Sequence, residues 1–461
     1  MPSTKVQRVM LKFRDTVNLP YVDDVGNEIE RQGIGPWSQL EQQHAGIRVL
    51  RLYRSLDQDA LRRLVERGTA NDPEYRPPNF LTYFVVEAPL GGDIDSMAST
   101  LRSWALVELA YNEPRPYSPG GVNPGMYALN ASQGYEDAAP VGIDARCAWN
   151  IPGGDGHGQA VIDMEVGWTL NHHDFVAHHP ALLFGAIEDA DRSNGTSVLG
   201  IVCAVGNNSG IVGIAPNVQA VNVVSYKADP SSQPSAATIP DAIAQAVLHL
   251  AVGNVLLLEV ELNFLPCESD PACFAAIRLA TAAGIAVVEA AGNGNQNLDQ
   301  FVDALHHPIL LRAPGNPWFT DSLAIMVASS TTTVPHARRA SSNHGSRIDC
   351  YAWGDSVQTC SSANAGDTGS HTVAPEFMDT SAAAAIIAGA ALSVQGMREA
   401  AGLARFDPAD LRAALQKGTP SSDPIGVMPD LCAIGGSITY HRPPSSPTNR
   451  PSPPRNLRVI G

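Results

Sequence analysis

The feature that most constrains the fold is a series of short, continuously apolar runs that begins near residue 136. Examples are QAVIDMEV, VQAVNVVSY, NVLLLEVEL, GIAVVEAAGN and LAIMVASS, and glycine-containing turns separate them. Helical stretches such as IPDAIAQAVLHLAVG and PACFAAIRLATAAG lie between several of these runs. Strands buried on both faces that alternate with helices are typical of parallel sheets. The sequence therefore predicts an α/β fold with a doubly wound, mostly parallel sheet, and ligands at the carboxyl ends of its strands.

A smaller α+β domain, of ferredoxin-like type, is predicted before this sheet, over residues 1–113. Alternating or apolar residues in KVQRVMLKF, LTYFVVEAP and residues 107–111 indicate three strands. Between them, one helix is predicted to begin with Ser55 as its cap, and another carries Met97, Leu101 and Trp104 on one face. The β-α-β-α-β order predicts two helices packed on one sheet.

Two segments are predicted to lack helices and central strands. In NEPRPYSPGGVNPG, residues 112–125, proline and glycine are too dense for either element, so residues 114–135 are interpreted as a linker before the domain of residues 136–430. Residues 431–461 end in HRPPSSPTNRPSPPRNLRVIG, which is rich in proline and serine and is predicted to be a disordered tail.

Composition limits the class of protein. An apolar share of 44% with 16% charged residues is enough for a large core. A formal charge of −16 and the lack of a basic stripe exclude nucleic acid as an expected partner. The start MPSTKVQRVMLKFRD has no signal-peptide pattern, and the apolar tracts contain glycine or charges. We expect no membrane contact and a cytoplasmic location as written, or secretion if a leader was removed.

Seven cysteines are too few for a disulfide scaffold, and none has the spacing of a zinc site. Cys267 and Cys273, like Cys350 and Cys360, are near enough in sequence to be bridged in an oxidising compartment. Free thiols are the expected state for a chain without a leader.

Three polar residues stand at predicted strand ends or helix starts. Asp163 ends the run AVID, Asn293 follows VVEAAG, and Ser381 opens the alanine-rich helix of DTSAAAAIIAGAALSVQGM. Each alone is explained by local structure, since serine caps helices and Asp and Asn form turns. Their order along the chain carries more information.

Five segments together resemble the subtilisin-like serine peptidases, the subtilases. They are AVIDMEVGWTLNHHDF, NGTSVLGIVCAVGNNSGIVGIAPNVQAVNVV, VVEAAGNGN, SSNHGSRIDCYAWG and DTSAAAAIIAGAALSVQG. The resemblance covers roughly residues 136 to 430 and implies the subtilisin fold. The domain before it is similar to the propeptide of that family, which acts as a folding chaperone and inhibitor. The resemblance also implies a peptide or protein substrate or ligand, with the chain's own propeptide-like domain as a partner.

The resemblance implies roles for the three residues. Ser381 would be the nucleophile, Asp163 the group that orients the base, and Asn293 the side-chain donor to the oxyanion. The roles suit the chemistry, because a serine hydroxyl needs a neighbouring base to take its proton. An amide aimed at the tetrahedral oxygen contributes about 2.7–4 kcal/mol, a value measured in a subtilisin.

Asn194 stands at the position of the family's histidine. A carboxamide has no nitrogen that titrates near neutral pH, so it cannot accept the serine proton or deliver it to the leaving amine. In a subtilisin, loss of the histidine alone costs about 10⁶ in turnover. We therefore expect this chain to be impaired as a peptidase.

Two further residues depart from the family pattern. Asp379 replaces a glycine two residues before Ser381, where its carboxylate would oppose the developing negative charge unless it turns away. Ala385 replaces a proline in the first turn of the helix, which is interpreted as tolerated drift.

No other base is indicated by the sequence. His172 matches a structural histidine of the family, His173 is its neighbour, and His344 is interpreted as a solvated loop residue. The related sedolisins place a glutamate one turn away on the same helix and an aspartate at the oxyanion position, but this chain has Val198 and Asn293 there. Subtilases often bind calcium, yet no Asp/Asn cluster here has its loop spacing, so no cofactor or metal is predicted.

Two functions remain open from the sequence. The first is a serine endopeptidase that is impaired as written. An active enzyme of this kind is expected to cut its own chain between roughly residues 112 and 136, whereas an intact chain would indicate a silent site. The second is a pseudoprotease whose cleft binds a peptide or partner protein without cleaving it, or a cleft used for a non-hydrolytic reaction.

Overall fold

The computed structural model describes residues 6–118, 120–122, 133–207, 211–362, 366, 368 and 373–438, with the backbone alone for 120–122 and 373–376. The strands are β1 Val6–Phe13, β2 Arg48–Arg51, β3 Tyr83–Pro89, β4 Val107–Asn112, β5 Pro116–Tyr117, β6 Gly120–Val122, β7 Ala160–Glu165, β8 Ala181–Phe184, β9 Ala220–Ser225, β10 Val255–Leu258, β11 Glu261–Leu262, β12 Leu265–Pro266, β13 Ala286–Ala290, β14 Ile325–Ser330, β15 Cys350–Trp353, β16 Val357–Cys360, β17 Val373–Met378, β18 Gly418–Pro420 and β19 Val427–Pro429. The α-helices are α1 Gly26–Arg31, α2 Trp37–Gln43, α3 Gln58–Asn71, α4 Ile94–Arg102, α5 Ala145–Ala148, α6 Arg192–Cys203, α7 Ile239–His249, α8 Pro271–Ala282, α9 Asp379–Ala400, α10 Pro408–Leu415 and α11 Leu431–Gly436.

The larger sheet confirms the predicted architecture. Its nine strands lie in the order β18-β19-β15-β14-β13-β10-β7-β9-β8. Every neighbouring pair is parallel except β18 with β19 at one edge. The central strands β7, β10 and β13 are buried almost throughout, which explains their continuously apolar sequences.

Two apolar layers cover the faces of this sheet. One contains α6 and α9, and the other contains α7 and α8. Helix α9 has 22 residues with a mean hydropathy of 1.4, enough by length and composition to cross a membrane, which the sequence interpretation had overlooked. Its apolar window is entirely buried inside the protein, so it forms the central helix of the core.

The smaller sheet belongs to the N-terminal domain and has the order β2-β3-β1-β4, with all neighbours antiparallel. This order is the ferredoxin-like one, as expected. The three expected strands are present as β1, β3 and β4, but β2 and the short helices α1 and α2 were not foreseen. The expectation that Ser55 caps a helix is wrong: Asp57 caps α3, accepting a hydrogen bond of 2.7 Å from the Ala60 N–H.

The N-terminal domain packs against α7 and α8 of the larger domain. Helix α3 contacts both of them. The Ser55 hydroxyl donates to the Asp241 carboxylate on α7 at 2.5 Å. Arg67 of α3 donates to the carbonyl oxygens of Val247 and Leu250 at 2.8 and 2.9 Å. The interface therefore joins side chains of one domain to the open carbonyl groups at a helix end of the other.

A disulfide joins Cys147, in α5, to Cys432, in α11, across 285 residues of sequence. The region predicted as a disordered tail thus begins with a helix, whose Leu431 and Ile434 are buried in the core; residues 439–461 lie outside the described residues. The other five cysteines, including the two pairs considered from the sequence, are buried free thiols.

Candidate active site

Ser381 lies in the first turn of α9 and is fully buried. Asn293 follows β13, and its side-chain oxygen accepts hydrogen bonds from the Thr380 N–H at 3.1 Å and the Thr380 hydroxyl at 3.0 Å. The structure therefore brings Asn293 next to the residue that precedes Ser381. The amino end of a long helix carries partial positive charge, which suits a site where an oxyanion forms.

Asn194 lies in the first turn of α6, and its amide group donates a hydrogen bond of 3.0 Å to the carboxylate of Glu165. Glu165 is the last residue of β7. Asp163, two residues earlier, instead accepts a hydrogen bond of 2.7 Å from the Trp168 indole. The carboxylate beside Asn194 is thus that of Glu165, which sequence reasoning missed. The signal was present, because residues two apart on a strand share a face.

Three buried carboxyl groups, those of Asp163, Glu165 and Glu259, form one cluster at the ends of β7 and β10. Burial raises the pKa of Asp163 to about 7, although hydrogen bonds to Trp168 and Glu165 lower it. Burial, Asp163 and Glu259 together raise the pKa of Glu165 well above its usual range. Burial and the charge of Asp163 do the same to the pKa of Glu259. These groups hold protons at a pH where exposed carboxyl groups are ionised.

The substitution Asp163→Asn should change the pH dependence of stability. The folded-state pKa of about 7 exceeds the unfolded value of 3.8, so the wild type loses stability as the pH rises from about 4 to 7. An amide can still accept from Trp168 and carries no charge. We expect Asp163→Asn to gain stability relative to the wild type between pH 4.5 and 8, on the order of 1–4 kcal/mol, by urea unfolding.

The control is Asp59→Asn, at a carboxylate that is 74% exposed. An Asp163→Asn difference that stays constant across this pH range would contradict the assignment of a raised pKa to Asp163.

Asp379 has a backbone φ of +71°, in the left-handed region that favours glycine. Its carboxylate accepts hydrogen bonds from the Arg339 guanidinium at 2.7 Å and from the Ser341 hydroxyl at 2.6 Å. The repulsion expected from the sequence is therefore offset, because Arg339 compensates this charge.

Comparison of Asp379→Gly with Asp379→Ala separates backbone strain from the ion pair. Both variants lose the contact with Arg339, but only glycine adopts a positive φ without cost. We expect Asp379→Gly to be more stable than Asp379→Ala by about 1 kcal/mol in thermal unfolding. Equal stabilities would mean that residue 379 is not held at a positive φ.

An extended segment of the linker lies beside the site. Strand β5 pairs antiparallel with β11, with Tyr117 opposite Glu261 and Pro116 opposite Leu262. The Tyr117 ring stacks on Phe264 with centroids 5.0 Å apart. Further along, β6 pairs antiparallel with β17, the strand that leads into α9. The linker thus pairs with β17, which leads into α9, and with β11, whose Glu261 accepts a hydrogen bond of 2.7 Å from the Asn293 N–H.

The histidines that the sequence analysis considered as alternative bases contact an aromatic ring, a carboxylate and a backbone N–H. The buried His172 ring stacks on Phe175 at 5.2 Å, and His173 contacts the Asp174 carboxylate at 3.0 Å. His172, His173 and Asp174 carry potential ligand atoms within 4.8 Å of one another, so among the described residues they are a group that one metal ion could contact. His344 accepts a backbone hydrogen bond from Leu298 at 2.7 Å, and burial lowers its pKa.

Comparison with known proteins identifies the class. The family model described as "Subtilase family" matches residues 182–440, more than half of the chain, and the chain belongs to this family. No curated protein matches it. The chain has the same fold as fervidolysin from Fervidobacterium pennivorans, a keratinolytic enzyme related to subtilisin, with a TM-score of 0.57 and 14% identity. The match covers 95% of this chain and 62% of fervidolysin, so the chain spans less than two thirds of that protein.

Two other solved structures are similar over part of the chain. A cold adapted subtilisin-like serine proteinase is 21% identical with a TM-score of 0.44, over 60% of this chain and 88% of the other. A protease from Pseudoalteromonas arctica PAMC 21717 is 21% identical with a TM-score of 0.47, over 65% of this chain and 94% of the other.

Proposed function

We propose that the chain is a serine endopeptidase of subtilisin type that carries its own propeptide-like domain, and that Asn194 impairs its turnover. The observation that carries this proposal is the antiparallel pairing of β5 with β11, because it holds an extended peptide segment on the strand whose Glu261 accepts a hydrogen bond of 2.7 Å from the Asn293 N–H. The same strand edge would bind a substrate peptide through its backbone, with Ser381 as nucleophile and Asn293 beside the oxyanion position.

The impairment follows from the group at position 194. The Asn194 amide donates to Glu165 and has no titratable nitrogen to take the Ser381 proton. In this proposal Glu165 has the orienting role that the sequence interpretation gave to Asp163. A peptide bound in the cleft would be positioned for attack but hydrolysed slowly.

A second candidate function is peptide binding without cleavage. The hydrogen bond between Asn194 and Glu165 favours it, because a satisfied amide at this position gives a stable site without a base. Under this alternative the linker is a permanent occupant of the cleft.

Incubation of the purified full chain tests both candidates. For an endopeptidase we expect the 48.7 kDa chain to be cut between residues 112 and 136 at least tenfold faster than a Ser381→Ala variant. The rate of cutting is measured from the intact mass over time at several pH values from 5 to 9. The cut should follow first-order kinetics that do not depend on protein concentration, since the linker is an intramolecular substrate. Equal rates in the two proteins, with the amides of Arg115 and Tyr117 protected in hydrogen exchange, would favour binding without cleavage.

A further inference from the structure

The hydroxyl of Ser381 faces a carboxyl group, that of Glu259. Both side chains are fully buried, helix α9 packs on strand β10, and the Ser381 hydroxyl is near enough to lower the pKa of Glu259. The contact is looser than the hydrogen bonds described above, and no described residue donates a hydrogen bond to either Glu259 oxygen. Hydrogen bonds between catalytic groups are often loose before the substrate is bound and tighten in the reacting complex.

Rigid elements hold the two groups. Glu259 directly follows β10, a central strand, and its N–H donates to the Met164 carbonyl oxygen at 3.0 Å. Ser381 lies in the first turn of the 22-residue helix α9. Neither group is on a surface loop, so their separation is set by the packing of the core.

The surroundings make Glu259 a strong base once it is ionised. Burial and Asp163 raise its pKa well above the usual range, while the contact with Ser381 lowers it. Glu165 also lies close to Glu259, because the charge of Glu259 raises the pKa of Glu165. Among the described residues, no positively charged group acts on the pKa of Glu259. A carboxylate with a raised pKa accepts a proton more readily than an exposed one.

The other two carboxyl groups of the cluster have different partners. Glu165 accepts from the Asn194 amide, and Asp163 accepts from the Trp168 indole. Glu259 is the member of the cluster that contacts the nucleophile.

We propose that Glu259 is the proton acceptor of Ser381 and replaces the missing histidine in this respect. The inference rests on the proposed peptidase chemistry at Ser381. In the molecules in which Glu259 is ionised, the Ser381 Oγ forms a bond to the peptide carbonyl carbon while its proton moves to the Glu259 carboxylate. When the carbon–nitrogen bond breaks, Glu259 returns this proton to the leaving amine and an acyl-enzyme remains. In the second half, a water oxygen bonds to the acyl carbon while a water proton moves to Glu259. The bond between this carbon and Ser381 Oγ then breaks, and Glu259 returns the proton to Oγ.

The test uses a dialkyl phosphorofluoridate, which needs the same activated serine but no peptide substrate. The Ser381 Oγ displaces fluoride from phosphorus and the serine proton passes to Glu259, so the full chain gains the dialkylphosphoryl mass. We expect Glu259→Gln to slow this modification by 10²- to 10⁴-fold. Glu66→Gln, on the exposed face of α3, is the matched control and should react at the wild-type rate. Ser381→Ala supplies the background.

A double variant tests whether a loss of reactivity in Glu259→Gln comes from the missing base or from misfolding. In the double variant Asn194→His with Glu259→Gln, the new imidazole should restore the reactivity of Ser381 at least tenfold over Glu259→Gln alone. If Glu259→Gln does not fold, Glu259→Asp replaces it; this variant withdraws the carboxyl group by one methylene and should react at least threefold more slowly than the wild type.

Each outcome bears on the proposal. A wild-type rate in the folded Glu259→Gln variant, or in Glu259→Asp where that variant replaces it, would overturn it. So would a wild-type chain no more reactive than Ser381→Ala. If Ser381 reacts in a Glu259-dependent way but the linker is never cut, then the proposed endopeptidase function fails while the role of Glu259 stands.

Discussion

Asn194→His is expected to raise the rate at which the full chain cuts its own linker at least tenfold over the wild type, because it adds an imidazole base to a site in which Glu259 is the proposed proton acceptor. Position 194 is buried in the first turn of α6, and its side chain already contacts the Glu165 carboxylate. An imidazole in this place can donate one N–H to Glu165, which leaves its second nitrogen to accept the proton of Ser381.

Intact-mass measurement after mixing at pH 8 gives the rate. Asn194→Gln is the matched control, since it keeps an amide and should cut no faster than the wild type. The double variant Asn194→His with Glu165→Gln should lose most of the gain, because the imidazolium that forms would have no carboxylate beside it. An Asn194→His chain that remains intact as long as Ser381→Ala would contradict the assignment of residue 194 to the histidine position.

The largest expected effect on stability is that of Arg347→Met. Arg347 is fully buried and makes hydrogen-bonded ion pairs with Glu268 at 2.5 Å and Asp349 at 2.7 Å, with Glu289 at 3.7 Å. Without the guanidinium, the Glu268 carboxylate would stay buried without its counter-charge, while Asp349 would keep Arg312 at 2.8 Å and Arg412 at 3.8 Å. We expect a loss of about 3–5 kcal/mol in the free energy of unfolding.

Urea unfolding at pH 7 measures this loss. The control is Arg62→Met, because Arg62 and its partner Asp59 are 58% and 74% exposed, and such surface pairs contribute about 0–1 kcal/mol. If Arg347→Met were within 1 kcal/mol of the wild type, the carboxylates would have to be neutral in the folded protein, and Arg347 would not be their counter-charge.

The architecture was largely predictable because it depends on patterns that are local in sequence. Apolar runs between helical stretches predicted the parallel sheet, and alternation predicted β1, β3 and β4. Strand β2 was missed because its sequence RVLR is short and has an arginine at each end. Asp57 was overlooked as a cap because Ser55, two residues earlier, is an equally good capping residue type.

The site was predictable only where one residue could be matched to one motif. Asn293 and Ser381 fall at the strand end and helix start expected of them. Glu165 and Glu259 were visible in the runs AVIDME and VLLLEVEL, but their meeting depends on the register of β7 with β10, where Leu257 pairs with Asp163. Sequence spacing along one strand carries no information about which residue of the next strand lies opposite. The link between Cys147 and Cys432 was missed because it joins two helices that are 285 residues apart, and sequence spacing does not show which helices meet.

The position of this covalent link determines what becomes of a nicked chain. Both Cys147 and Cys432 lie after the linker, so a cut between residues 112 and 136 falls outside the loop that they close. The two products would therefore separate on a denaturing gel even without a reducing agent. A cut between residues 148 and 431 would instead leave one band until the sample is reduced. The N-terminal domain is held to its neighbour by noncovalent contacts alone once the linker is cut, and dilution can then release it.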